Sequence, residues 1–190
     1  MEDRKAKLYE SAKALFSDIG FKDTGVADIA RRAGVAVGTF YLYFSSKDAL
    51  FIEIFKDENA KMLRGAMDGL KLDGDPKEII RALLERNMRG MMESPILKQW
   101  YDPASFAKIE RLFRTQDGLT AAEFFYQDFL TLVKRWQAEG RMRADIDAKM
   151  IMAMFGAIIR IGHHREEIGP EYFPALQEYM TEFMLDSLTR

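Results

Sequence analysis

From Leu8 to Met184 apolar residues return every third or fourth position, and runs of alternating β-branched residues are scarce. That period belongs to helices that bury one face, so the chain reads as all-α. Glycine, proline and short polar residues punctuate it. A first helix runs from about Arg4 to Ile19, with Leu8, Ala12, Leu15, Phe16 and Ile19 on one face, and stops at Gly20. Two short helices follow, Val26 to Ala33, ending at Gly34, and Val37 to Phe44. Ser45-Ser46 cap a long helix from Lys47 towards Leu70. Asp75-Pro76 opens the next, which carries Ile79, Ile80, Leu83, Leu84, Met88, Met91 and Met92 until Ser94-Pro95. Asp102-Pro103 starts a helix through Phe106, Ile109, Leu112 and Phe113. Thr120-x-x-Glu123 is a capping box for a helix ending at Gly140. Asp145 or Asp147 starts one that reaches about Glu167, and Gly169-Pro170 turns into a last helix ending near Leu188. About eight or nine helices result.

The 190 residues are 48% hydrophobic, too apolar for a disordered tail protein and enough for a real core. Cysteine is absent, which excludes disulfides, thiol nucleophiles and thiolate-bound metals. Met1-Glu2-Asp3-Arg4-Lys5 is polar rather than a leader. The longest apolar stretch, Met150 to Ile161, is broken by Arg160 and falls short of the roughly 20 residues that span a bilayer. The expectation is a soluble, cytoplasmic protein without a membrane partner. Residues 1–47 hold eight basic and six acidic residues, and the rest hold 20 and 24. A head of charge +2 thus sits on a body of −4, the asymmetry of a small DNA-contacting module on an acidic frame.

The densest information lies between Val26 and Phe44. Two short helices meet at Gly34. Ile29, Ala30 and Ala33 face inward on the first, Phe40 and Phe44 on the second, and small Ala30 permits a close crossing. This is helix-turn-helix patterning, whose second helix enters the major groove of DNA.

Asp28-Ile29-Ala30, Ala33-Gly34-Val35, Gly38-Thr39-Phe40-Tyr41-x-Tyr43-Phe44 and Ser46-Lys47-Asp48-x-Leu50 resemble the N-terminal signature of the tetracycline-repressor (TetR) family. Gly20-Phe21 and Thr24 also match, so the resemblance covers about residues 5–55. It implies a homodimeric, all-helical transcription regulator, usually a repressor, with a head (residues 1–47) and a ligand-binding and dimerisation body (residues 48–190). It places Val37, Gly38, Thr39, Tyr41, Leu42 and Tyr43 in the recognition helix, and Thr39, Tyr41 and Lys47 at positions that contact phosphates. Two caps depart from the pattern: Gly25 and Ala36 stand where the family usually or often has a hydroxyl. The recognition helix also lacks Arg, Lys, Asn and Gln, so base reading falls to apolar contacts by Val37 and Leu42, to backbone approach at Gly38 and to DNA shape. Arg4 and Lys5 are placed to reach a minor groove, and Arg31 and Arg32 the backbone.

In the body, Asn87 interrupts an apolar stripe and needs a partner, either a neighbouring backbone group or a pocket. Met88, Met91, Met92, Trp100, Phe106, Phe113, Phe124, Phe125, Tyr126 and Phe129 are either core or the lining of a pliable cavity. The resemblance favours a pocket for a small apolar or aromatic effector. Ala153, Gly156 and Ala157 form a small-residue face, with Ile159 beside it, and Tyr179 and Phe183 lie on the last helix. These read as a dimer interface, which the resemblance makes a four-helix bundle. His163-His164-Arg165-Glu166-Glu167 suits helix-end solvation better than a metal, because adjacent histidines diverge on a helix.

No cofactor is expected. Neither G-x-S-x-G, H-E-x-x-H nor a phosphate-cradling glycine loop occurs, so an enzyme is disfavoured. Regulation through a protein partner is the other alternative. The sensor reading is a two-state dimer on an inverted-repeat operator, with the helix from Lys47 as coupler.

Overall fold

The computed structural model describes residues 2–102 and 120–189, without side chains at Glu2, 120–124 and His163. Nine α-helical segments occur among the described residues: α1 (Glu2–Asp23), α2 (Val26–Arg32), α3 (Val37–Tyr41), α4 (Lys47–Met67), α5 (Pro76–Glu93), α6 (Thr120–Ala138), α7 (Ala148–Ile161), α8 (Arg165–Ile168) and α9 (Ala175–Leu188). Single 3-10 turns lie at Leu97–Tyr101, Gly162–His164 and Pro170–Tyr172. The only β-type pairing among the described residues is one isolated bridge, Met142 to Thr189. The helix expected around Phe106 and Phe113 lies outside them. None of the helices described is long and apolar enough to cross a membrane.

Three helix ends differ from the pattern read in the sequence. The second short helix stops at Tyr41 rather than Phe44, because Leu42 and Tyr43 bond back three residues, to Thr39 and Phe40, and tighten the turn. The helix from Asp147 stops at Ile161 rather than near Glu167. There the Gln177 amide takes the Ile158 carbonyl at 3.0 Å, so that carbonyl no longer calls for a helical partner. The last helix starts at Ala175, after Pro170–Tyr172 has formed its own turn; Pro174, which has no N–H to donate, occupies the cap.

Packing divides the chain into two units whose boundaries fall inside α4, α5 and α6: residues 1–65 with 87–122, and residues 66–86 with 123–190. The core of the first gathers Leu8, Ala12 and Phe16 of α1, Ile29 of α2, Phe40 of α3, Leu50, Phe51, Ile52, Ile54 and Phe55 of α4, Met91 of α5, and Ile96 and Leu97. Its aromatic centre is Phe16, Phe21 and Phe51, with ring centroids 4.7–5.8 Å apart, extended by Phe55 and the Trp100 ring stacked on it at 5.5 Å. Pairs at these spacings add to area burial when tilted or offset.

Trp136, fully buried, centres the second unit. Phe129 meets it edge-on, and Ile79, Ile80, Met142, Ile151, Phe155, Leu185 and Leu188 complete that core. Three guanidinium groups tie down the segment between α4 and α5. Arg86 donates to the carbonyls of Ala66 (3.1 Å) and Asp68 (2.8 Å), Arg135 to that of Leu72, and Arg141 to those of Asp73 and Gly74. Carbonyls at a helix end have no intrahelical partner, and a guanidinium fork satisfies several at once.

Gly20 breaks α1 with φ 84°, a left-handed conformation that glycine adopts without strain. The break leaves backbone groups needing partners on both sides. Gln99 supplies them: its Oε1 accepts from the Phe21 N–H at 2.9 Å and its Nε2 donates to the Phe16 carbonyl at 3.4 Å. Replacing Gln99 by Leu keeps the bulk and removes both bonds. A buried backbone donor left alone costs about 1–3 kcal/mol. We expect Gln99→Leu to lower the urea midpoint accordingly, and an unchanged midpoint would show that water replaces the amide.

Candidate nucleic-acid interface

The helix-turn-helix is assembled from backbone bonds and one phenylalanine pair. Gly25 begins α2 without a side-chain cap, and Asp28 serves instead. Its Oδ2 accepts from the Gly25 N–H at 3.2 Å, while the Gly25 carbonyl receives the N–H groups of Asp28 and Ile29 at 3.1 Å. A Cβ at position 25 would lie 2.9 Å from that carboxylate oxygen. The carboxylate thus supplies the reach-back half of a capping box, and the Asp28 N–H that a cap hydroxyl would take bonds to the Gly25 carbonyl. Gly34, at φ 69°, turns the chain, and Val35 donates to the Ala30 carbonyl at 3.0 Å. Ala36 caps α3 with backbone alone.

Phe40 is fully buried, and Phe44 packs on it with centroids 5.7 Å apart. That pair fixes which side of α3 faces away. Val37, Gly38, Tyr41 and Leu42 emerge, with Val37 44%, Tyr41 57% and Leu42 79% exposed. Ala36 is exposed as well, and Thr39 and Tyr43 are half-buried at the margins. Of the recognition residues read from the sequence, Val37, Gly38, Tyr41 and Leu42 therefore share the exposed surface, while Tyr43 packs against the core and, with Leu42, stands on the closing turn rather than in the helix.

Lys47 is turned inward. Its Nζ donates to the carbonyls of Phe21 (2.8 Å) and Thr24 (2.6 Å) and lies 4.5 Å from the Phe21 ring centre. The Thr24 hydroxyl is buried and donates to the Gly20 carbonyl at 2.7 Å. The start of α4 is thereby stapled to the last turn of α1 and the loop that follows it. Sequence periodicity gives no sign of this use of Lys47; Thr24, four residues after Gly20, has the spacing of a hydroxyl bonding back one turn.

Polar links also join α1 to α4. Lys5 pairs with Glu53 at 3.1 Å and sits over the Phe44 ring, the Tyr9 hydroxyl donates to Asp57 at 2.7 Å, and Lys13 pairs with Glu58 at 2.7 Å. Burial and the Asp57 carboxylate push the Tyr9 phenol well above its ordinary range, and the Glu58 bond raises Lys13. Arg31 pairs with Asp28, Arg32 with Asp18, and Lys7 with Asp3. Arg4 is exposed.

The candidate pocket residues fall in both units. In the first, Met91 is core, Trp100 stacks on Phe55, and Met88 and Met92 are exposed. Asn87 meets the Met62 thioether at 3.8 Å, a weak acceptor, rather than a backbone group. In the second, Phe129 is core, with Phe125 stacked on it and Tyr126 partly exposed. Phe106 and Phe113 lie outside the described residues, as does the Phe124 side chain. On α7, Ala153, Ala157 and Ile159 are exposed, and a Cβ on Gly156 would meet nothing within 4 Å. On α9, Tyr179 and Phe183 stack on each other while 59% and 69% exposed. His164 pairs with Glu167 at 3.1 Å, and no group of three or more metal-ligating side chains occurs among the described residues.

Residues 8–54 match the family model of bacterial regulatory proteins, tetR family. The head and the start of α4 are thus similar to the DNA-binding segment of TetR-family regulators. Among curated relatives, a fatty acid metabolism regulator protein of Bacillus subtilis (strain 168) is 27% identical over 81 residues, 43% of this chain and 42% of that one. The HTH-type transcriptional regulator BetI 1 of Chromohalobacter salexigens is 30% identical over 102 residues, 51% and 49% of the two chains. The chain thus spans less than half the length of either. A solved structure of the transcriptional regulator FadR from Bacillus subtilis in complex with stearoyl-CoA superposes with a TM-score of 0.64 at 17% identity, covering 96% of this chain and 98% of that one. The likeness extends the TetR fold, a helical body behind the head, beyond the residues that the family model matches. These relatives are regulators rather than enzymes.

The inward Lys47 generates a prediction for this head. Hydrogen bonds to charged groups contribute about 1.5–3 kcal/mol, so Lys47→Met should lower the melting temperature of the DNA-free protein. An unchanged melting temperature together with weakened DNA binding would instead assign Lys47 to phosphate.

Proposed function

We propose that the chain is a cytoplasmic, homodimeric transcription regulator, with residues 1–47 bearing the DNA contacts and residues 48–190 carrying dimerisation and effector binding. The operator is an inverted repeat, the head docks α3 in the major groove, and the default action is repression relieved by a small, mostly apolar molecule. One observation carries the reading. The side of α3 opposite the buried Phe40–Phe44 pair is exposed within a head that matches the family.

Two features support a dimer through α7 and α9. Large aromatics at Tyr179 and Phe183 stay exposed, and the small face at Ala153, Gly156 and Ala157 meets nothing in its own subunit near Gly156. Small residues permit close helix approach, and a self-complementary patch closes into a two-fold pair. Support for an apolar effector comes from the methionines and aromatics of α5 and α6 and from the acyl-CoA bound by the similar FadR. The ligand would favour one of two dimer states, and only the state with recognition helices about 34–36 Å apart fits successive major grooves.

Selection from random duplex DNA at fixed salt tests the reading: an inverted repeat should be enriched. Phe183→Glu should convert the dimer to monomer in light scattering and abolish operator binding at concentrations where the parent protein saturates. A Phe183→Glu protein that remains dimeric places the interface elsewhere.

Salt dependence supplies a second check. Lys5, Lys7, Lys13, Arg31 and Arg32 already have acidic partners, in the head for Lys7, Arg31 and Arg32 and on α4 for Lys5 and Lys13. Few phosphates are then neutralised. At about 0.9 per phosphate, we expect log affinity against log salt to fall with a slope no steeper than about −6 per dimer.

A further inference from the structure

We infer that this head reads the C5-methyl groups of thymine, through an apolar patch formed by Val37, Tyr41 and Leu42, in place of hydrogen-bonded base recognition. The inference rests on the DNA-binding reading above and specifies the chemistry of its contact surface.

Three observations converge on the patch. First, residues 33–46, the whole turn and recognition segment, contain no charged side chain and no amide. Bidentate pairing to guanine or adenine from this segment is therefore unavailable, since it requires Arg, Lys, Asn or Gln. Second, at 3.6 residues per turn Val37, Tyr41, Gly38 and Leu42 fall within an arc of about 140°, and this is the arc left exposed. Single exposed apolar side chains are ordinary; three within one arc, on the segment the fold presents, form a surface. The core has no use for them, because Phe40 and Phe44 already fill the inner side. Third, Gly38 lies between Val37 and Leu42 on that arc, and a Cβ there would meet nothing within 4 Å. Internal packing therefore does not require glycine at this position. What the missing side chain provides is a bare strip of backbone flanked by two aliphatic groups, which lowers the standoff between α3 and an approaching surface.

The major groove offers one apolar group on its base edges, the thymine C5-methyl. An aliphatic patch on a closely approaching helix is complementary to that group and to nothing else on the edge. The hydroxyl of Tyr41 is the one polar side-chain group within the arc and retains a donor and an acceptor for phosphate or base. Arg31 and Arg32, exposed on α2, are paired with Asp28 and Asp18. Sequence preference from such a surface follows the spacing of thymines in each half-site.

Removing only the methyl tests this. Duplex enriched from a random thymidine library is resynthesised with deoxyuridine at every thymidine, which preserves base pairing. Binding should weaken about four-fold for each methyl withdrawn from contact. Replacing thymidines singly should confine the loss to a few positions, repeated symmetrically in the two half-sites. Leu42→Ala, at a position too exposed to disturb folding, should weaken binding to thymidine duplex and shrink the penalty for deoxyuridine. Equal affinity for both duplexes overturns the inference and leaves the DNA-binding reading intact. Failure of the thymidine library to yield any enriched sequence overturns the DNA-binding reading, and this inference with it.

Discussion

The ammonium of Lys47, held by the carbonyls of Phe21 and Thr24, is the interaction on which the head depends. Gly20 ends the regular helix before it, and the chain must then turn with carbonyls that have no helical partners. A glycine break costs nothing sterically but leaves those groups exposed to choice. Lys47 and the Thr24 hydroxyl remove the choice. One charge, at the first residue of α4, thereby holds the carbonyls just ahead of α2, whose start Asp28 caps, and α2 leads to α3 through the Gly34 turn. The surface presented by α3 is the last link of that chain rather than an independent element.

The two long helices α4 and α5 belong to both units. Residues on one face of α5 divide their burial accordingly: Ile79, Ile80 and Leu83 lie in the core around Trp136, and Met91 in the core around Phe51. The segment between the helices is not a slack linker, since Arg86, Arg135 and Arg141 hold its carbonyls. In the first unit Gly90 lets the Met62 side chain lie where a Cβ would stand. Within each unit, then, side chains meet backbone: guanidinium groups on carbonyls in the second, and Met62 against Gly90 in the first.

Much of this was legible in the sequence. Gly20, Gly34, Pro76 and Asp147 act where their chemistry places them, and Phe40 with Phe44, four apart, predicts the buried side of α3 and hence its exposed one. The exposure of Tyr179 and Phe183 follows from helices with more apolar surface than one subunit can cover. What the sequence hides are side chains working at long range. Gln177 ends α7 by taking the Ile158 carbonyl, Lys47 points inward, and Asn87 meets a thioether. Periodicity says which face of a helix is apolar, not what that face meets, so Met91 and Phe129 read alike and lie in different cores. Gly25 lacks a cap hydroxyl, and the carboxylate three residues on holds its N–H while its carbonyl takes the first helical N–H groups.

Gln99 bridges the two sides of the Gly20 break from 78 residues beyond Phe21. During synthesis the first three helices leave the ribosome long before that amide exists. Their local bonds and the Phe16–Phe21–Phe51 cluster can form early, but the break cannot be satisfied until the chain through Gln99 has emerged and its loop has closed. Closing a loop of that length adds an entropic cost that grows only logarithmically with residue number, while it delays the step in time. Completion of the head is thereby tied to translation of the segment after α5. A nascent chain arrested before Gln99 carries a head whose hinge is still open.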